Sequence, residues 1–116
     1  TLQRLPRLVP EGIARELAFT GRNFLADEAE RTGLINRVFA SPEALTAAVR
    51  ELAQTIAAKS PLATRGIKEV MNYSRDHSVA DGLNFVAAWN ASMLLSADLN
   101  EAITAQREKR PPRFAD

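Results

Sequence analysis

The stretch from Ser78 to Leu95 constrains the fold of this chain most, because it predicts a helix with two apolar faces. Ser78 can cap its start, and Asp81 supplies the reciprocal carboxylate of a capping box. One apolar stripe of this helix is aliphatic and consists of Val79, Leu83, Val86 and Leu94. The second stripe lies beside it and consists of Phe85, Trp89 and Met93. A surface helix needs an apolar stripe of roughly 100° to meet one core. We therefore expect a second cover, from another chain or from a part of the protein outside this one.

The other periodic segments also predict helices, so the predicted fold class is mainly α, with at most one or two short strands. The clearest helix starts at Ser41, with Lys59 in its last turn, and its apolar positions recur at helical spacing. These positions are Leu45, Ala48, Val49, Leu52 and Ile56. A further helix is predicted from Pro61 to about Tyr73, and a last one from Ser96 to the prolines that follow Arg110. A serine stands at the start of each of these helices and of the two-stripe helix, and serine is a favoured N-cap.

The first 40 residues give weaker signals. Two short helices are predicted there, one closed by Gly21 and one from about Ala26 to Thr32 with Gly33 as its C-terminal cap. Leu34 to Phe39 is the one strand-like run. A single strand cannot make a sheet, so we expect its partners outside this chain or only minimal pairing.

Composition and residue types exclude several kinds of function. The 116 residues have a formal net charge of +1, so bulk electrostatics do not favour nucleic acid as a partner. There is no cysteine and only one histidine, His77, so no metal site is expected. No apolar stretch is long enough to span a membrane, and we expect a cytoplasmic protein. The densest acidic cluster, Asp27, Glu28 and Glu30, is interpreted as a solvated helix face rather than an acid/base pair.

Two features remain as candidate sites. Phe85, Trp89 and Met93 could form a core, an interface or the wall of an acyl pocket. The segment from Arg107 to Arg113 carries four cations against one anion. Most such runs are solvated surface, but a cluster of cations at a helix end could also pair with a phosphate.

Several motifs resemble the second half of the enoyl-CoA hydratase/isomerase (crotonase) family. They are the segments 1–6, 15–21, 26–29, 33–38 and 59–63. Segments 73–80 and 83–90 are similar to the dienoyl-CoA isomerase branch of that family, and they are more specific than the others.

The resemblance implies that residues 1–40 form the end of the crotonase spiral core and residues 41–116 form the C-terminal helical trimerisation region. The N-terminal β-β-α spiral, which carries the CoA cleft and the amides that stabilise a thioester enolate, is absent from this sequence. No catalytic residue is then expected in this chain, and the chain itself is expected to be inactive. The parent enzyme would isomerise or hydrate an unsaturated acyl-CoA as a homotrimer or a dimer of trimers, with no cofactor, because coenzyme A is part of the substrate.

Two site assignments follow from the same resemblance. Lys109 matches a lysine that family members use near the CoA phosphates, so it is the predicted CoA-binding residue. Phe85, Trp89 and Met93 would line the acyl pocket or the trimer interface. Gln106 stands where hydratases have a phenylalanine, which puts the aromatic lid of those enzymes in doubt here.

The alternative to a fragment of an acyl-CoA enzyme is a standalone helical module for protein interaction or oligomerisation.

Overall fold

The structure is a computed structural model that describes residues 2–115, and within that range it contains helices and no strand. After a 3-10 turn at Leu5–Arg7, the helices are α1 (Glu11–Thr20), α2 (Ala26–Arg31), α3 (Pro42–Ala57), α4 (Pro61–Tyr73), α5 (Val79–Met93) and α6 (Ala97–Glu108). The prediction of a mainly α fold is confirmed.

The chain divides into two compact units, Thr1–Ala48 and Val49–Asp116. In the first unit the 3-10 turn packs against α1, and Val9, Ala14 and Ala29 are buried. In the second unit α4 packs against α5. The division falls inside α3, whereas the predicted domain boundary between residues 40 and 41 stays a prediction.

The predicted serine caps are present at four helices. The hydroxyl oxygens of Ser41, Ser60, Ser78 and Ser96 each accept a hydrogen bond from the backbone N–H three residues on, at 3.1–3.2 Å. The capping box at α5 closes in a different way from the expected one, because the Ser78 hydroxyl donates to the Asp81 carboxylate at 2.6 Å. A serine cap is worth about 1 kcal/mol to a helix.

The predicted end of α3 is wrong by two residues. The helix stops at Ala57, so Lys59 lies beyond its last turn. The Lys59 N–H donates to Ile56 O, three residues back, in a tighter turn than an α-helix. Pro61 explains this end, because a proline disfavours helical geometry at the residue before it.

The predicted strand from Leu34 to Phe39 is also wrong. Gly33 adopts a φ of +80° at the end of α2, and the Leu34 and Ile35 N–H groups both donate to Ala29 O. The Val38 N–H donates to the Glu30 carboxylate at 3.2 Å. This segment therefore binds its backbone donors to α2 and is folded back on the end of that helix. Its apolar residues gave a strand-like pattern without a strand's pairing.

Helix α5 presents its two stripes differently. Val79, Leu83 and Leu94 are 80%, 64% and 64% exposed, whereas Phe85, Trp89 and Met93 are half-buried. Val86 belongs to the predicted aliphatic stripe, but unlike the other three members it is half-buried. At 100° per residue it lies only about 20° from Met93 around the helix, so it shares the inner face. The exposed aliphatic stripe agrees with the expectation that α5 has more apolar surface than one core uses.

Candidate ligand-binding site

A column of aromatic rings joins α4 to α5. The rings of Tyr73 and Phe85 are stacked with their centroids 4.3 Å apart, and Trp89 follows at 6.2 Å from Phe85. His77 stacks on the other face of Tyr73 at 3.7 Å. Such pairs stabilise packing by about 0.5–1.5 kcal/mol each beyond the area they bury. Phe85 is therefore committed to packing within this unit.

His77 is held in the turn between α4 and α5. Its Nδ1 lies 2.7 Å from Tyr73 O and 2.9 Å from an oxygen of Asp76. Because a backbone carbonyl can only accept, Nδ1 carries the proton in this arrangement. The contacts agree with a role in the turn.

Gly66 lets α4 approach the indole of Trp89. A Cβ built on Gly66 would lie 2.7 Å from Cε2 and 3.0 Å from Cδ1 of Trp89, and closer still to Nε1. Real Cβ atoms do not come within 3.0 Å of another heavy atom, so alanine at this position would displace the ring. A glycine inside a predicted helix is the sequence signal for such a close approach.

Beside this contact lies a cleft of about 640 Å³ between α4, α5 and the start of α6. Trp89 and Met93 line it, whereas Phe85 does not. Most of the other lining residues are apolar: Leu62, Ala63, Ile67, Val70, Met71, Val86, Leu94, Leu99 and Ala102. The structure thus separates the three residues of the predicted stripe, and two of them belong to one apolar cleft.

The polar end of the cleft is formed where two helices begin. The Ser60 hydroxyl, which caps α4, donates to the carboxylate of Asp98 in the first turn of α6. Asp98 is buried, with 8% of its surface exposed. A carboxylate near helix N-termini is stabilised by the helix dipole. Ser60 and Asp98 are 38 positions apart in the chain, so local sequence patterns could not predict this contact.

Lys109 occupies an unusual backbone position at the end of α6. Its φ and ψ are 53° and 38°, and it is the one non-glycine residue with a positive φ in the described part of the chain. The Lys109 N–H donates to Gln106 O and the Arg110 N–H to Ala105 O. This is the Schellman pattern, whose left-handed position is usually a glycine. Gly33 fills the same position after α2, with Leu34 donating to Ala29 O.

Glu101 fixes the segment after this helix end. Its carboxylate accepts from Arg110 Nη1 at 2.6 Å, from Arg110 Nη2 at 3.0 Å and from the Arg113 N–H at 2.7 Å. The Arg110 side chain and the Arg113 backbone together lower the pKa of Glu101 to about 2. Arg110 also donates to Glu108 at 2.6 Å, and the two carboxylates raise its pKa.

These contacts reduce the positive charge available in the Arg107–Arg113 segment, the candidate phosphate site. Of the four cations between Arg107 and Arg113, Arg110 is engaged by Glu101 and Glu108. The side chains of Arg107, Lys109 and Arg113 form no ion pair within residues 2–115. Lys109 is also exposed, so its ammonium group is accessible to a ligand.

The predicted acidic cluster in α2 is only partly a solvated face. Glu28 accepts from the two terminal guanidinium nitrogens of Arg22, at 2.6 and 2.8 Å, and this pairing lowers the pKa of Glu28. Glu30 accepts from the Val38 N–H. Within the described residues, no three acidic, histidine or cysteine side chains form a group that could hold a metal ion. No helix in that range is both long and apolar enough to cross a membrane.

Comparison with known proteins defines the family. The model of the enoyl-CoA hydratase/isomerase family matches residues 1–116, so the chain belongs to this family. Among curated relatives, it is 51% identical over 115 residues to the peroxisomal Δ(3,5)-Δ(2,4)-dienoyl-CoA isomerase of Arabidopsis thaliana. That alignment covers 99% of this chain and 41% of the relative.

Two further comparisons agree. The mitochondrial Δ(3,5)-Δ(2,4)-dienoyl-CoA isomerase of Homo sapiens is 47% identical, over 95% of this chain and 34% of that protein. The solved structure of an enoyl-CoA hydratase from Bacillus anthracis superposes with a TM-score of 0.92 at 34% identity, covering 97% of this chain and 43% of that one. The chain thus spans about two fifths of these proteins and corresponds to a C-terminal portion, as the sequence motifs predicted.

Proposed function

We propose that this chain is the C-terminal part of an acyl-CoA enzyme that shifts the double bonds of a dienoyl-CoA. Hydration of an enoyl-CoA is the second possibility within the same family. In either reaction, an oxyanion hole would stabilise the thioester enolate, and carboxylates would move protons at the acyl carbons. The 51% identity with a dienoyl-CoA isomerase favours the isomerisation.

In this proposal the catalytic carboxylates belong to a preceding half that this chain does not contain. No cofactor is needed, because coenzyme A is part of the substrate and the double-bond shift is redox-neutral. A cytoplasmic location remains a prediction.

The observation that carries the assignment is the backbone of Lys109. A left-handed conformation disfavours any side chain by about 1–2 kcal/mol relative to the right-handed one. Gly33 shows that this chain uses glycine in the equivalent position of α2. A lysine kept in a place where glycine is more stable points to a task for its side chain, and residues in sparsely populated conformations cluster at functional sites. We assign Lys109 to the CoA phosphates.

The exposed apolar faces support a larger assembly. Leu45, Val49, Leu52 and Ile56 on α3 are each about half exposed, and Leu83 and Val79 on α5 are more exposed still. Contiguous apolar patches of more than a few hundred Å² are uncommon on monomers. We propose that the preceding half and neighbouring subunits of a homotrimer, or a dimer of trimers, cover these faces. Phe85 would then pack against Tyr73 within the unit, whereas Trp89 and Met93 would line the cleft.

The same exposed faces favour one alternative, a standalone helical module that binds other proteins. The two proposals differ in what precedes Thr1 in the gene. An acyl-CoA enzyme requires a coding region with the spiral motifs and carboxylates upstream, whereas a start codon immediately before Thr1 would favour the module.

Activity provides the direct test. The enzyme with its preceding half should convert a 3,5-dienoyl-CoA to the conjugated 2,4-dienoyl-CoA, followed by the rise in near-ultraviolet absorbance. The isolated 116-residue chain should give no turnover. Turnover by the isolated chain would contradict the proposal, and so would a whole enzyme that acts on neither dienoyl-CoA nor enoyl-CoA.

A further inference from the structure

We propose that Glu101 is a positioning residue that fixes the turn after α6, so that Lys109 is held ready for a phosphate. This inference rests on the proposed role of Lys109 and extends it to a residue that does not itself bind the ligand: the Glu101 carboxylate bonds to Arg110 and Arg113. It is carried by the hydrogen bonds of the carboxylate.

Glu101 and Arg110 form an ion pair with two parallel hydrogen bonds. Both terminal nitrogens of Arg110 donate to Glu101, one to each carboxylate oxygen. A two-pronged pair of this kind fixes orientation as well as distance. Arg110 is the residue directly after Lys109, and its N–H closes the Schellman turn on Ala105 O. The pair therefore anchors the residue next to Lys109 to the body of α6.

Glu101 also binds the backbone of the segment after α6. One oxygen of Glu101 also accepts from the N–H of Arg113 at 2.7 Å. The chain from Arg110 to Arg113 is thus tied at both ends to a single side chain, across the two prolines. Glu101 is half-buried, unlike the exposed Glu108. Glu101 is ionised at neutral pH, and the contacts with Arg110 and Arg113, which lower its pKa to about 2, keep it ionised well into the acid range.

The anchor at Arg110 affects the conformation of Lys109. The left-handed conformation is less stable for lysine than a right-handed one. Without the anchor at Arg110, the last turn could relax and point the ammonium group elsewhere. A ligand would then have to restore the turn on binding, and ordering a side chain or loop on binding weakens affinity.

The test uses the whole enzyme and steady-state kinetics with an acyl-CoA and with the matching acyl-pantetheine thioester, which lacks the phosphates. Lys109→Ala should raise KM for acyl-CoA by roughly tenfold, as expected for one charged hydrogen bond to a phosphate. Glu101→Gln should raise the same KM by roughly threefold or more, with kcat unchanged, because uniform binding is lost. Neither variant should change KM for the acyl-pantetheine.

Glu108→Gln is the matched control, because Glu108 also pairs with Arg110 but holds no backbone group of the tail. Its KM for acyl-CoA should not rise. Arg110→Lys provides a second route if Glu101→Gln does not fold, since it keeps the charge and loses the two-pronged pair. It should raise KM as Glu101→Gln does.

The outcomes separate the two proposals. In a Lys109→Ala background, Glu101→Gln should add almost nothing, because both act through the same contact. Additive effects, or a normal KM for both Glu101→Gln and Arg110→Lys while Lys109→Ala is impaired, would overturn the role of Glu101. A normal KM for Lys109→Ala would overturn the phosphate contact itself, whatever Glu101 does.

Discussion

Replacing Gly66 with alanine tests how closely α4 and α5 pack. In an open helix interior, alanine is more favourable than glycine by about 0.8–1.0 kcal/mol. At Gly66 the new methyl group would meet three atoms of the Trp89 indole within 3.0 Å. Overpacking of this kind destabilises proteins by about 1–3 kcal/mol. Trp89 lines the apolar cleft and lies beside Phe85, with ring centroids 6.2 Å apart, so moving the indole away from the new methyl group would disturb both contacts. We expect a net loss of about 1–2 kcal/mol.

Two other helical glycines provide matched controls. A Cβ on Gly12 would meet nothing within 4 Å, and one on Gly82 would meet only the Ser74 hydroxyl at 3.1 Å, which can rotate. Gly12→Ala should therefore stabilise the protein by up to about 1 kcal/mol, and Gly82→Ala should be neutral or slightly stabilising. In thermal melts followed by circular dichroism, we expect Gly66→Ala to lower Tm by about 4–8 °C.

Trp89→Leu removes Nε1 and Cε2, the two indole atoms that a Cβ on Gly66 would approach within less than 3.0 Å. In that background, Gly66→Ala should become neutral or stabilising, and the double-mutant cycle should give a coupling of about 1–2 kcal/mol. The close packing of Gly66 on Trp89 would be refuted if Gly66→Ala raised Tm as much as Gly12→Ala does, or if Trp89→Leu left the effect of Gly66→Ala unchanged.

Three further predictions concern the helix ends. Lys109→Gly should stabilise the fold by about 0.5–1 kcal/mol, because relief of the left-handed conformation outweighs the added freedom of the unfolded chain. Lys109→Ala should not stabilise the fold, and equal Tm values for the two variants would contradict this prediction. Folding lowers the pKa of Glu101 from 4.5 to about 2. The stability difference between the wild type and Glu101→Gln should therefore be complete above pH 4.5 and disappear as the pH falls through about 2. Urea titrations that show the same difference at pH 2 and pH 6 would exclude this contribution of Glu101. Ser60→Ala should destabilise the protein by about 1–3 kcal/mol more than Ser78→Ala, because it also removes a donor from buried Asp98, and equal midpoints in urea would argue against that contact.

The sequence was sufficient for features that depend on neighbours along the chain. The serine caps and the glycine after α2 are local, so residue type and spacing were enough to predict them. The range of α4 was also predicted correctly, because a serine and a proline mark its start. The mistaken strand at Leu34–Phe39 has the opposite cause. Its apolar residues fit a strand, but its hydrogen-bond donors are taken by α2, and periodicity does not reveal such competition.

The site was harder to predict, because its contacts join residues that are not at the i,i+3 or i,i+4 spacing of a helix. Glu101 reaches Arg110, nine residues on and past the helix end, where i,i+4 spacing no longer applies. Ser60 bonds to Asp98 because the N-termini of α4 and α6 lie next to each other in the folded chain. The family resemblance drew attention to Lys109, but its left-handed backbone became visible only in the structure.

We propose that Lys109, at the end of α6, binds the phosphates of an acyl-CoA. Isothermal titration of the whole enzyme with coenzyme A tests it most directly, with Lys68→Ala, an exposed lysine on α4, as the control. We predict that Lys109→Ala raises Kd by roughly tenfold and that Lys68→Ala binds like the wild type. An unchanged Kd for Lys109→Ala would contradict the account.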